Sequence, residues 1–94
     1  MKNINNNIFT KNFPHLDIHG ETEATADFII KDFINDNYKL KEEYFIIVHG
    51  KGDGILRKKT HQILSKDNRI QDFKLDNMNL GCTIVHLKIN NLKI

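Results

Sequence analysis

From Pro14 onward the apolar residues fall into two different periods, and their order predicts the elements. His15-Leu16-Asp17-Ile18-His19 alternates polar with apolar and stops at Gly20, which predicts a short strand over 15–19. Ala26, Ile29, Ile30, Phe33 and Ile34 then recur at helical spacing. Thr22 stands before them as an N-cap and Glu23 suits the positive first turn, so a helix is predicted over 23–37. Tyr44-Phe45-Ile46-Ile47-Val48 is apolar on both faces, the pattern of a central strand buried on both sides. A glycine-rich turn, His49-Gly50-Lys51-Gly52-Asp53-Gly54, follows it. Leu56, Thr60, Ile63 and Leu64 then mark a second helix over 55–66. Ile70–Leu75 alternates with Phe73 and Leu75 on one face. Cys82–Leu87 is rich in β-branched residues, and Asp76-Asn77-Met78-Asn79 turns the chain between these two strands, predicted to be antiparallel.

The order β-α-β-α-β-β implies an α/β domain with a partly parallel sheet and right-handed helical crossovers. Residues 1–13 hold five Asn with Ile4, Ile8, Phe9 and Phe13 scattered among them and no persistent period. They read as a flexible N-terminal arm before one domain over 14–94. Pro14 disfavours helix in Phe13 and fixes an extended entry.

Composition narrows the class. Ninety-four residues with 39% apolar and 28% charged side chains fit a single small core. The longest apolar run is the five residues Tyr44–Val48, too short to cross a bilayer, and the first 15 residues have no signal-like core. No membrane partner is therefore expected. The one cysteine, Cys82, forms no internal disulfide and suits a reducing, cytoplasmic setting; it is read as a small packed residue. The net charge of +2 is unevenly spread. Residues 1–48 carry a net of −3, residues 49–69 a net of +4 and residues 70–94 a net of +1. A basic excess confined to about twenty residues is the footprint of a phosphate or nucleic-acid binder.

The predicted topology also places chemistry. Two parallel strands joined by one crossover helix put their carboxyl ends on one rim of the sheet, where ligands of open α/β sheets bind. Asp17 and His19 end the first strand there, and His49 with the glycine turn ends the second. Glycines at 50, 52 and 54 permit close backbone approach, and the amides opening the second helix form a phosphate nest. Lys51 and Arg57 add charge to it, and Lys58 and His61 extend the basic face along that helix.

These residues carry a resemblance. Leu16-Asp17-Ile18-His19-Gly20, then His49-Gly50-Lys51-Gly52-Asp53-Gly54-Ile55-Leu56-Arg57, then Gly81-Cys82-Thr83-Ile84-Val85, resemble the three signature segments of the Smr (small MutS-related) domain. Before the last strand this chain keeps only the final glycine, Gly81, of the glycine-rich segment often found there. The resemblance implies a two-layer α/β sandwich with a mixed four-stranded sheet, like the C-terminal domain of translation initiation factor three. It implies endonuclease activity on RNA or DNA, and for some relatives action at stalled ribosomes. It ties Asp17 and His19 to cleavage, and His49, Gly50 and Gly52 to nucleic-acid binding and activity. Ninety-four residues leave no room for an ATPase domain, so a stand-alone type or a fragment is expected.

Phosphodiester cleavage needs a proton acceptor, a proton donor and charge at the phosphorane. The reading favoured here gives His19 and His49 the acid and base roles, with Asp17 orienting an imidazole or the RNA 2′-hydroxyl. Lys51, Arg57 and the turn amides hold the phosphate. That chemistry needs no cofactor. The rival scheme makes Asp17, His19 and His49 ligands of one divalent metal, which suits DNA nicking better. RNA is the favoured partner and DNA the alternative. The other class of function is a non-catalytic nucleic-acid or ribosome-binding module.

Overall fold

The computed structural model describes residues 12–89. Its elements are β1 (His15–Asp17), α1 (Glu23–Leu40), β2 (Tyr44–Val48), α2 (Ile55–Lys66), β3 (Ile70–Asp76) and β4 (Asn79–Leu87). They form one four-stranded sheet in the order β1-β2-β4-β3. β1 runs parallel to β2, with Leu16 opposite Ile47 and Asp17 opposite Val48. β4 lies antiparallel to both β2 and β3. The sheet is therefore mixed, and its last strand in chain order is an interior one.

Both helices cover the same face. Ala26, Ile30 and Ile34 of α1 and Ile63 and Leu64 of α2 are buried against Phe45, Ile47, Val85 and Leu87. Ile46, Cys82 and Ile84 make a smaller cluster on the opposite face, with Phe13 packed on it. Phe13 also stacks on Tyr44, which stacks on His86, with centroid spacings of 5.1 and 4.4 Å. β2 is thus buried on both faces, as its unbroken apolar run requires. Most of the arm expected over 1–13 lies outside the described residues. No described helix is long and apolar enough to cross a membrane.

Four boundaries differ from the sequence pattern, β3 reaching Asp76 among them, each for a local reason. β1 ends at Asp17, two residues early. The Asp17 carboxylate accepts the His19 N–H, Ile18 O accepts the Glu21 N–H, and Gly20 takes φ +82°, so the chain turns instead of extending. α1 runs three residues past Asn37, which is buried and returns its side-chain N–H to Phe33 O. The helix stops at Lys41, in the left-handed region at φ 59°. β4 begins at Asn79 because Asp76 pairs with it, leaving Asn77-Met78 as a two-residue turn.

Candidate active site

The carboxyl ends of β1 and β2 meet as their parallel pairing dictates, with Ile18 N–H donating to Val48 O at 2.9 Å. Both helices start at this rim. Residues 19–23 and 49–57 line an open cleft of about 590 Å³ between the two helix N-termini.

On one wall, Asp17 accepts hydrogen bonds from the backbone N–H and from Nδ1 of His19. The bond to His19 holds the Asp17 carboxyl below the usual range, and the same bond raises the His19 pKa above 6.5. Both side chains are more than half exposed. With Nδ1 engaged, Nε2 of a charged His19 remains the outward-facing donor.

The glycine turn forms the other wall. Gly50 takes φ +88°, and a Cβ added there would lie 3.5 Å from the Cβ of His19, so the two motifs touch. Gly54, at φ +85°, caps α2 without a side-chain hydrogen bond. The Arg57 guanidinium folds over it, 2.7 Å from where a Cβ would stand. Asp53 accepts the Ile55 N–H at 3.1 Å. The turn is fixed from behind by β4: Gly81 O accepts N–H groups from both His49 and Gly50, each at 2.9 Å.

His49 faces inward and is 4% exposed. Its Nδ1 is 2.9 Å from Gly50 O and its Nε2 is 2.8 Å from Thr83 Oγ1. Burial lowers its pKa, and nearby Arg57 adds to that. His61 does not join a basic outer face. It is half-buried against Phe73, its Nε2 is 2.8 Å from the same Thr83 hydroxyl, and burial, then His49 and Arg57, lower its pKa. Thr83 and Gly81 are the site residues that the sequence roles left out. Thr83 was signalled by a hydroxyl on the strand face that also carries Val85 and Leu87.

The residues assigned from sequence therefore divide by place. His19, Gly50, Lys51, Gly52, Gly54 and Arg57 line the cleft, with Asp17 directly behind His19. Lys58 is exposed on α2 outside the cleft lining; His49 borders the cleft but has both ring nitrogens engaged beneath the turn, and His61 lies beneath the turn outside the lining. Asp17, His19 and His49 do not converge as a ligand set, since both His49 nitrogens are engaged internally. Among the described residues, no three His, Cys, Asp or Glu side chains are grouped to hold a metal ion.

The basic excess of residues 49–69 is partly internalised. Lys59 pairs with Asp27 at 3.2 Å, and Arg69 pairs with Asp67 at 2.8 Å. Lys51, Arg57 and Lys58 are left to face solvent at the start of α2, while Glu21, Glu23 and Asp53 also line the cleft. Cys82 is buried and its thiol pKa is raised, first by that burial and then by Asp76 and Asp17, which suits a packed residue.

Known proteins are similar to this chain in sequence and fold. The chain is 35% identical over 78 residues to the endonuclease MutS2 of Halothermothrix orenii and 34% identical over 77 residues to that of Thermotoga maritima. Those alignments take in 80% and 79% of this chain but 10% of each relative, so the chain spans about a tenth of their length. The Smr domain of Thermus thermophilus MutS2 superposes with a TM-score of 0.77 at 27% identity, over 80% of this chain and 98% of that one. YdaL of Escherichia coli, a stand-alone small MutS-related protein, shares the fold with a TM-score of 0.71 at 18% identity, over 78% of this chain and 63% of YdaL. The Smr domain family model matches residues 16–88, which span the rim motifs, the glycine turn and the strand behind it: the chain belongs to the Smr family.

Proposed function

We propose that this chain is an endonuclease that cleaves RNA in the cleft between the two helix N-termini. The observation that carries this reading is the exposed, hydrogen-bonded Asp17–His19 pair in contact with a glycine turn that bears Lys51 and is followed by Arg57. The relatives named endonuclease align across the same segment. In this scheme the turn amides, Lys51 and Arg57 hold the scissile phosphate and offset charge on the phosphorane. The 2′-hydroxyl attacks phosphorus, the bond to the 5′-oxygen breaks, and His19 Nε2–H gives that oxygen its proton. Asp17 keeps His19 charged and oriented.

His49 cannot serve as the base while both of its nitrogens are engaged, and Asp53 is committed to Ile55. Glu21 and Glu23 are the carboxylates left on the cleft wall to accept the 2′-hydroxyl proton.

End-labelled single-stranded RNA and matching DNA, with and without EDTA, test the scheme. Expected are RNA fragments ending in 2′,3′-cyclic phosphate, formed equally in EDTA, with the rate down by about 10²–10⁴ in His19→Ala. Fragments with 3′-hydroxyl ends, or cleavage abolished by EDTA, would shift the chemistry to a metal-bound water. Binding without cleavage in every lane would make the chain a nucleic-acid-binding module.

A further inference from the structure

Behind the glycine turn, His61, Thr83, His49 and Gly50 are joined by three consecutive hydrogen bonds. The protons along this line can be assigned. A carbonyl oxygen only accepts, so the proton between His49 and Gly50 sits on His49 Nδ1. Burial disfavours the charged form of His49, so with its proton on Nδ1 its Nε2 is bare and accepts the Thr83 hydroxyl proton. Thr83 has no second proton to give, so His61 must be the Nε2–H tautomer and donate to Oγ1. The line ends on a carbonyl, which has no proton to pass on. It therefore cannot relay protons to the cleft.

What it fixes is an orientation. Gly50 O is drawn inward to His49, and the Gly50–Lys51 peptide is trans, so the Lys51 N–H points the opposite way, out of the turn. No acceptor among the described residues takes that N–H. Gly81 O holds the N–H groups of His49 and Gly50 at 2.9 Å, which fixes the preceding peptide, so the bond from His49 to Gly50 O is the one that sets the Gly50–Lys51 peptide. We propose that Thr83 and His61 are positioning residues that act through a single tautomer of His49 to aim the Lys51 backbone N–H at a phosphate in the cleft. This rests on the nucleic-acid reading above for the identity of the anion, and on hydrogen-bond geometry and the burial of His49 for the tautomers.

The test has two readouts on the intact chain. Imidazole ¹⁵N–¹H correlation spectra at pH 7.5, without nucleic acid, should show His49 protonated on Nδ1 and His61 on Nε2. Thr83→Val keeps the side-chain shape and removes the hydroxyl; His49 should then lose its single-tautomer signature. Affinity for a labelled 2′-O-methyl oligoribonucleotide, which has no free 2′-hydroxyl, should fall about 10-fold or more with the loss of one aimed donor. Thr83→Ser should restore both readouts. His61→Gln, which keeps a donor near the Nε2 position, should bind more tightly than His61→Leu, and this pair carries the test if Thr83→Val does not fold. An Nε2–H tautomer at His49, or Thr83→Val with wild-type spectra and wild-type affinity, overturns the proposal and leaves the nuclease reading standing. Wild-type protein with the assigned tautomers but no affinity for the oligonucleotide overturns the phosphate role and the nuclease reading together.

Discussion

Gly81 is the sharpest point at which to test the packing of the site. A methyl group added there would lie 3.3 Å from the Gly50 Cα and from its carbonyl carbon, and 3.3 Å from Asn79 Oδ1. The Asn79 amide can swing aside, but the Gly50 backbone cannot, so the turn must retreat by a few tenths of an ångström. Gly81 O accepts two N–H groups at 2.9 Å, and that retreat stretches both bonds towards the upper limit for N–H···O. Overpacking of this kind costs about 1–3 kcal/mol, offset by about 0.4–1 kcal/mol from the stiffer unfolded chain. Gly81→Ala should therefore destabilise the domain by about 1–2 kcal/mol, a fall in Tm of roughly 5–15 °C for a domain of this size. Urea titration followed by circular dichroism measures it. Gly52→Ala is the control, since its Cβ would meet nothing within 4 Å and its φ is not positive. The control should be neutral or slightly stabilising. Equal stability of the two variants would refute the close approach of β4 to the turn.

Further predictions concern titration, the thiol and the end of α1. His49 and His61 have folded pKa values below the 6.5 of the unfolded chain, so acid protonates the unfolded state first. Their contribution is complete above pH 6.5 and drains away as pH falls from 6.5 through the folded values. The exposed His19–Asp17 pair acts in the opposite sense, its contribution present below pH 6.5 and lost as pH rises through the raised His19 value. The buried pair should dominate, so the urea midpoint should be lower at pH 5.5 than at 7.5, and a higher midpoint at 5.5 would contradict this. Cys82, buried with a raised thiol pKa, should resist a thiol-specific disulfide reagent in the native state and react fully in urea; immediate reaction of folded protein would place it at the surface. Lys41 at φ 59° bears a left-handed cost of about 1–2 kcal/mol, against about 0.4–1 kcal/mol of extra unfolded entropy for glycine. Lys41→Gly should thus be stabilising by up to about 1 kcal/mol by denaturant titration, and a clear loss of stability would refute the cap.

The limits of α2 and β2 follow directly from the residues, because a glycine at 54 and an unbroken apolar run at 44–48 are strong local signals. The meeting of Asp17 and His19 with the glycine turn is also legible, since a parallel crossover leaves two strand ends no other rim. What the pattern hides depends on side chains bonding back to the chain. The Asp17–His19 turn shortens β1 against its alternation, and Lys41 ends α1 without the glycine that would have marked it. His49 is the deepest case. A histidine at a strand end can face either way, and only Thr83, 34 residues later, turns it inward. The two-residue period of β4 puts the Thr83 hydroxyl on the face of Val85 and Leu87, where it needs a polar partner.

The position of β4 has a consequence for how the domain comes into being. A nascent chain that has reached β3 already carries Asp17, His19, the glycine turn and both helices, yet no strand stands between β2 and β3. The turn then lacks the Gly81 carbonyl, and His49 lacks Thr83. Inserting the interior strand closes contacts of long sequence separation late, and it tightens the glycine turn in the same event. A product that stops after β3 would therefore display the Asp17–His19 and glycine-turn motifs without the third segment that braces them, so completeness of synthesis is a condition built into the architecture itself.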